Sequence, residues 1–154
     1  MLYATLLTIH SLLRWIVLVA AVVALARAIM GWSGNKVWTP TDERVGKQFS
    51  AVMGIQFLVG LVLYVFVSPI TTAAFQDFGA AMRDSNSRFW AVEHITGMVV
   101  AIALASIGRA RARRQTSGPA RHRTTAIFFG LSLLVMLASI PWPFMAAARP
   151  YFRF

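Results

Sequence analysis

The chain has 154 residues, of which 58% are hydrophobic and only 13% are charged, and its formal net charge is +10. A soluble domain of this size needs far more polar surface, so the composition excludes an ordinary soluble globular protein. The sequence contains no cysteine, which excludes disulfides, thiolate metal sites, iron–sulfur clusters and covalently attached c-type haem. Because the basic residues lie between long apolar runs, they favour a role in membrane topology over nucleic-acid binding.

Four apolar segments follow one another along the chain, at about 2–27, 48–68, 88–108 and 124–146. Each is long enough to cross a hydrocarbon core of about 30 Å at about 1.5 Å per residue. The apolar runs are continuous, whereas barrel strands would alternate, so we predict helices. Residues 1–154 are therefore expected to form a single all-α transmembrane domain. The short connections favour an up-down-up-down four-helix bundle, with a short surface helix around 72–82.

The loops predict the orientation of this bundle. Ten basic residues lie in the first and third loops: Arg27, Lys36, Arg44, Lys47, Arg109, Arg111, Arg113, Arg114, Arg121 and Arg123. The opposite side has four, which are Arg83, Arg88, Arg149 and Arg153. The positive-inside rule therefore places the first and third loops in the cytoplasm and both termini on the periplasmic side. The arginines at 109–123 are a topology signal first and an anionic-lipid site second, and His122 among them is expected in solvent.

Five polar residues lie inside the predicted spans: His10, Arg14, Gln56, Glu93 and His94. Such residues are costly in lipid and mark candidate functional sites. His10 and His94 lie about seven and about six residues from the starts of their helices, so both sit roughly 10 Å below the outer end. The first and third helices are diagonal neighbours in the predicted bundle. Two level histidines on diagonal helices are the arrangement that bis-histidine ligation of one haem b requires.

Other residues are expected around the same pocket. Arg14, one turn below His10, is predicted to meet a haem propionate or to form a buried ion pair with Glu93. Gly97, one turn from His94, would let a flat macrocycle approach the backbone. The remaining candidates lie in the outer parts of the helices: Tyr64, Arg88, Trp90 and Trp142. The simpler alternative for the polar residues, and for Gln56 in particular, is a hydrogen bond or ion pair that joins two helices.

Four motifs occur in order: HSLLRW from His10, QFLVGLVLY from Gln56, VEHITGM from Val92 and IPWP from Ile140. In these motifs the chain resembles small four-helix bacterial membrane proteins labelled cytochrome b-like. The resemblance covers nearly the whole chain and implies b-type haem and membrane electron transfer. It makes His10 and His94 the positions that match the ligands. Only two histidines lie in the predicted spans, so at most one bis-histidine haem is expected.

The predicted function is one-electron transfer through a single haem b near the outer face of a bacterial inner membrane. The redox partners considered are the quinone pool and a periplasmic protein. Arg14 is expected to raise the potential by opposing the propionate charge, and Glu93 to pair with it or to handle a proton during quinol oxidation. Two alternatives stay open: a non-catalytic subunit of a larger respiratory or photosynthetic membrane complex, and a small proton or solute pathway through these polar residues.

Overall fold

A computed structural model describes residues 1–145 and 147–152. The predicted all-α class is confirmed, because these residues contain helices and no strand. The helices are α1 Leu2–Ser33, α2 Pro40–Val62, α3 Pro69–Gln76, α4 Phe78–Arg83, α5 Ser85–Arg88, α6 His94–Arg113 and α7 Gly118–Ser139. Two π-helical segments complete them: the first, Leu63–Val67, continues α2, and the second, Phe89–Glu93, leads into α6.

Four helical stretches are long and apolar enough to cross a membrane: Leu2–Ser33, Pro40–Val67, Ser85–Arg113 and Gly118–Ser139. They correspond to the four predicted segments, and their length and hydropathy indicate a membrane protein. The single surface helix predicted around 72–82 is two helices, α3 and α4. Asp77 separates them, and its carboxylate accepts a hydrogen bond from the backbone nitrogen of Ala80 to cap α4.

Two of the long helices begin earlier than hydropathy predicts, because polar caps start them. The side chain of Thr39 accepts from the backbone nitrogen of Asp42, and the Asp42 carboxylate accepts from that of Thr39. This capping box starts α2 at Pro40 rather than near residue 48. The Ser117 side chain likewise caps α7, which starts at Gly118 rather than near 124.

The fourth long helix also ends earlier than predicted. α7 stops at Ser139, whereas the apolar pattern continues it to residue 146, which itself lies outside the described residues. Ile140 has extended backbone angles (φ −76°, ψ 133°), as expected for the residue before Pro141. The chain after Ile140 is therefore free to turn back over the end of the bundle.

The four long helices pack in a ring. α1 packs against α2 and α7, and α6 packs against α7 and, more sparsely, against α2, so α1 and α6 lie at opposite corners. The rings of Phe49 and Phe129 meet at the centre, with centroids 4.9 Å apart and planes at 70°. The buried core around them consists of Val17, Ala21, Ala24, Met53, Ala101, Ala105 and Met136. Small residues on α1 and α6 allow the helix backbones to approach closely.

We predict that Gly108→Ala destabilises the bundle although alanine is the better helix former. A Cβ at this position would overlap the Phe128 side chain on α7, whose Cγ would lie 2.9 Å away. Overpacking of this kind costs about 1–3 kcal/mol, which exceeds the gain in helix propensity of about 1 kcal/mol. Thermal unfolding in detergent should show a lower midpoint. Gly130→Ala is the control, because its Cβ would meet Leu25 at an ordinary 3.7 Å, and an equal loss in both variants would contradict the packing described here.

Candidate functional site

A cavity of about 140 Å³ lies between α1, α2, α6 and α7 at one end of the bundle. Most of its lining is apolar, and Met53, Met98 and Met136 are among the side chains that form it. The polar lining includes both histidines predicted as ligands, His10 and His94. We call this space the histidine cavity.

The structure brings the two histidine rings together, with centroids 6.3 Å apart and planes at 77°. Nδ1 of His94 lies 2.7 Å from the carbonyl oxygen of Ser139 on α7. Because a carbonyl oxygen only accepts, Nδ1 carries the proton and donates it, and Nε2 of the neutral ring keeps its lone pair. A backbone carbonyl that holds the other ring nitrogen is the usual way in which a ligating histidine is oriented.

His10 is held by α2. Its carbonyl oxygen accepts a hydrogen bond of 2.9 Å from Nε2 of Gln56. Its ring lies against Gly60, where an added Cβ would be 2.8 Å from Cε1. Nδ1 of His10 is enclosed and has no hydrogen-bond partner among the described residues. A buried polar atom without a partner indicates that something else, such as a ligand or an ordered water, completes this environment.

Both π-helical segments border the histidine cavity, and the sequence did not reveal either of them. Tyr64 of the first segment and Trp90 of the second line the cavity. The Tyr64 hydroxyl donates to the carbonyl oxygen of Ala91 at 2.6 Å, which ties the two segments together. The Tyr64 carbonyl oxygen in turn accepts from Oγ1 of Thr71 at 2.8 Å. These bonds satisfy carbonyl groups at irregular turns, a feature that is frequent at functional sites.

The predicted ion pair between Arg14 and Glu93 is not present among the described residues. Nε of Arg88 instead lies 2.7 Å from Oε1 of Glu93, whose side chain is 48% exposed and outside the cavity lining. Arg88 and Glu93 are five residues apart, the spacing that a π turn brings together. The second π segment therefore rotates Glu93 away from the position that a regular helix would give it. The resulting ion pair also engages Arg88, which we predicted to lie beside the pocket.

Arg14 lines the cavity but points to the C-terminal residues. Its Nη2 donates to the carbonyl oxygen of Tyr151 at 2.7 Å, and Nε1 of Trp15 donates to the same oxygen at 3.0 Å. These bonds hold residues 141–145 and 147–152, the C-terminal strap, over the histidine end of the bundle. Arg149 of the strap also lines the cavity, and its guanidinium carbon lies 4.7 Å from the centre of the Trp90 ring. The other arginine predicted in the tail, Arg153, lies outside the described residues.

Two predicted pocket residues serve packing instead. A Cβ at Gly97 would overlap the Ser139 side chain, so this glycine lets α6 approach α7 and does not line the cavity. Trp142 packs against Trp15, with centroids 6.3 Å apart, and its Nε1 donates to the carbonyl oxygen of Leu137 at 2.7 Å. The glycine that faces the pocket is Gly60. Gly60 lies one helical turn from Gln56, and this spacing is the sequence signal that places it on the same side of α2 as that polar residue.

His122 is buried, with 2% of its surface exposed, whereas the sequence placed it in solvent. Its ring packs against Trp38, with centroids 4.8 Å apart, and its Nε2 lies 3.3 Å from the carbonyl oxygen of Val37. Gly31 on α1 makes the space for this ring, since a Cβ there would overlap it. The early start of α7 places His122 inside the bundle, at the end away from the histidine cavity.

The two imidazoles have a spacing that suits one metal centre between them. Imidazole nitrogens bind transition metals at about 2.0–2.1 Å, so rings on opposite sides of one ion have centres roughly 6 Å apart. No group of three or more histidine, cysteine, aspartate or glutamate side chains in the described part of the chain could hold a metal ion. A haem fits this donor set better than a bare ion, because the macrocycle supplies the other four nitrogen ligands.

The volume of the cavity adds a condition to haem binding. Pockets for small molecules usually measure about 300–1,000 Å³, and the histidine cavity measures about 140 Å³. A macrocycle therefore requires flexible lining side chains, such as Met98 and Met136, to change rotamer. The spacing of the two imidazole rings suits such a group, whereas the space between them does not hold a macrocycle without these side-chain movements.

Comparisons with protein-family models, with curated proteins and with solved structures found no match to this chain. The likeness to cytochrome b-like membrane proteins therefore rests on the four sequence motifs. All four motifs contribute residues to the histidine cavity. They are His10 from the first, Gln56 and Gly60 from the second, His94 from the third, and Ile140 and Pro141 from the fourth.

We predict that Arg14→Gln loosens the C-terminal strap, because it removes the strong bond to the Tyr151 carbonyl oxygen. Hydrogen exchange followed by mass spectrometry should show faster exchange at Ala148 and Arg149, whose amides bond to Met145 and Pro141. Exchange in the core of α7 should not change. Arg44→Gln, at an exposed position near the start of α2, is the control. Unchanged exchange at Ala148 and Arg149 in Arg14→Gln would show that Trp15 alone holds the strap.

Proposed function

We propose that this protein is a membrane electron carrier, in which His10 and His94 would hold one haem b between them. The observation that supports this most is the pair of imidazoles 6.3 Å apart across an apolar cavity. The hydrogen bond from Nδ1 of His94 to the Ser139 carbonyl oxygen adds to it, because it leaves Nε2 as the free donor atom.

When bound, haem b supplies one-electron redox chemistry, and the chain sets the conditions for it. Ser139 orients the His94 ring and increases its basicity through the bond to Nδ1. Gln56 and Gly60 fix the backbone and ring of His10 from the α2 side. The methionines and aliphatic side chains of the lining keep water away, and such an apolar surrounding is one of the means by which a protein sets a redox potential.

Arg14 and Arg149 give the cavity its positive charge. Both guanidinium groups belong to its lining, and the described residues of the lining include no carboxylate. They are therefore suited to meet the two carboxylates that a haem carries. A fixed positive charge near the iron also favours the reduced state, so we expect these arginines to raise the potential.

We propose that the chain forms an up-down-up-down bundle in a bacterial inner membrane, with both termini on the periplasmic side. Contacts between the start of one helix and the end of the next support the topology: His10 lies against Gly60, and His94 bonds to Ser139. The ten basic residues in and beside the connections between α1 and α2 and between α6 and α7 support the orientation. The histidine cavity then lies near the periplasmic face, within reach of a periplasmic redox protein and of quinone in the outer leaflet.

The alternatives draw less support. A proton pathway needs an acid close to the histidines, and Glu93 is instead half exposed and paired with Arg88. A role as an accessory subunit needs apolar faces buried by protein partners. The exposed apolar side chains of the spans, such as Leu58 and Leu134, are equally matched by lipid.

We predict that the purified protein binds one equivalent of haem and that His10→Ala and His94→Ala each abolish the bis-histidine spectrum. Absorption spectra of the oxidised and reduced forms, recorded during a titration with haem, measure both the stoichiometry and the coordination. His122→Gln is the control, because it changes the third histidine of the chain, which lies at the other end of the bundle. A reduced b-type band that persists unchanged in either alanine variant would overturn the assignment of the ligands.

We predict that Gly60→Ala weakens haem binding by about 10- to 100-fold, the usual effect of disturbing a group that orients a metal ligand. The added methyl group would lie 2.8 Å from Cε1 of His10 and push the ring from its place. Gly54→Ala is a matched control on the same helix, because a Cβ there meets nothing within 4 Å. Equal haem affinities of the two variants, measured by titration, would show that contact with Gly60 does not position His10.

A further inference from the structure

A second pocket, of about 540 Å³, lies at the opposite end of the bundle from the histidine cavity. It is open to the surroundings and lies between α2, α6 and α7. Its charged lining consists of Glu43, Lys47, Arg113 and Arg121, and Trp38 forms one wall. We call it the arginine pocket. Its size falls within the range of about 300–1,000 Å³ that is usual for small-molecule sites.

The arginine pocket has an excess of positive charge. Three arginines surround the carboxylate of Glu43, with N–O distances of 2.9 Å for Arg113, 3.4 Å for Arg121 and 3.6 Å for Arg109. Lys47, one turn along α2, adds a fourth cation. Glu43 is the only carboxylate of the described lining, since the neighbouring Asp42 is bound to Arg27 at 2.8 Å. One acid cannot balance four cations, so the pocket favours a further anion.

Two donors in this pocket also lack acceptors. Nε of Arg121 and Nε1 of Trp38 are enclosed and have no hydrogen-bond partner among the described residues. The guanidinium of Arg121 lies over the Trp38 ring, with its carbon 4.7 Å from the ring centre, so the two donors are close together. An anion with several oxygens matches the guanidinium forks of Arg113 and Arg121, and phosphate esters have this geometry.

The surface next to the arginine pocket is apolar and exposed. On α2, the exposed side chains of Ile55, Leu58 and Val62 follow Lys47 along the same side of the helix. On α6, Val99 is exposed on the side of the helix that carries Arg113. α2 and α6 are also the most loosely packed of the adjacent long helices, so a shallow seam runs between them.

We infer that the arginine pocket binds the phosphate headgroup of an anionic phospholipid, whose acyl chains lie along the seam between α2 and α6. The charge excess selects an anion, and the guanidinium forks of Arg113 and Arg121 select one with several oxygens. The apolar seam selects a lipid over a free phosphate ion. Basic pockets between membrane helices on the cytoplasmic side are suited to such headgroups.

The test uses the full chain purified in a neutral detergent and titrated with phosphatidylglycerol, phosphatidylcholine or inorganic phosphate. Native mass spectrometry counts the bound lipid, and thermal unfolding measures the stabilisation. We expect phosphatidylglycerol alone to stay bound and to raise the unfolding midpoint. Lys47→Gln and Arg113→Gln should each weaken its binding about fivefold, the effect of one basic side chain at a lipid surface.

Arg44→Gln is the matched control, because Arg44 follows Glu43 on α2, is exposed and lies outside the pocket lining. It removes the same charge and should leave the affinity within about twofold of the original, because surface charge alone is a weak, screened effect. Lys47→Gln keeps all three arginine contacts of Glu43, so it remains informative even where Arg113→Gln misfolds. Equal binding of phosphatidylcholine, an equal shift with inorganic phosphate, or an equal loss in Arg44→Gln and Lys47→Gln would each overturn the inference.

Discussion

A polar ring inside an apolar bundle needs a hydrogen-bond partner or a bound ligand, because lipid and hydrocarbon side chains provide neither. This constraint applies to His10 and His94, and much of the structure at their end of the bundle follows from it. α7 ends at Ser139, where its carbonyl oxygen meets His94. α2 presents Gly60, which leaves space for the ring of His10. The two rings then lie with their centroids 6.3 Å apart across the histidine cavity.

The irregular turns beside the histidines are subject to the same need for hydrogen-bond partners. A π turn leaves backbone carbonyl groups without their helical donors, and such a turn is stable only where other donors replace them. Tyr64 and Thr71 supply such donors, one to a carbonyl group of each segment. The second segment also directs Glu93 outward to Arg88 and keeps the acid out of the cavity. The result is a cavity whose charged lining groups are arginines, which suits a ligand that carries carboxylates.

The two ends of the bundle differ in the way that they use charge. At the histidine end, Arg14 bonds to backbone carbonyl oxygens of the C-terminal strap, which keeps its charge available to the cavity. At the other end, three arginines meet the carboxylate of Glu43 and still leave a positive excess. The first arrangement suits a buried redox group, and the second suits a lipid headgroup at the membrane surface.

The sequence predicts the four spans and the meeting of His10 with His94, because both depend only on hydropathy and on the regular rise of a helix. It does not predict contacts that arise when particular helices meet. Gly97 and Gly60 each lie about one helical turn from a polar residue of their motif, so the sequence does not distinguish them. In the structure Ser139 of α7 covers Gly97, and the His10 ring covers Gly60. The arginines around His122 in the sequence predict a solvated side chain. Its burial depends on Gly31 of α1, which leaves space for the ring. The pairing of Glu93 depends on a π turn, for which the sequence carries no recognised signal.

The most direct measurement of the central claim is the electron paramagnetic resonance spectrum of the oxidised protein loaded with one equivalent of haem. Two imidazole ligands make the ferric iron low-spin, and nitrogen couplings from two rings should appear in the spectrum. The geometry of His10 and His94 predicts this low-spin signal. A high-spin signal, which indicates that one axial position lacks an imidazole, would contradict the account.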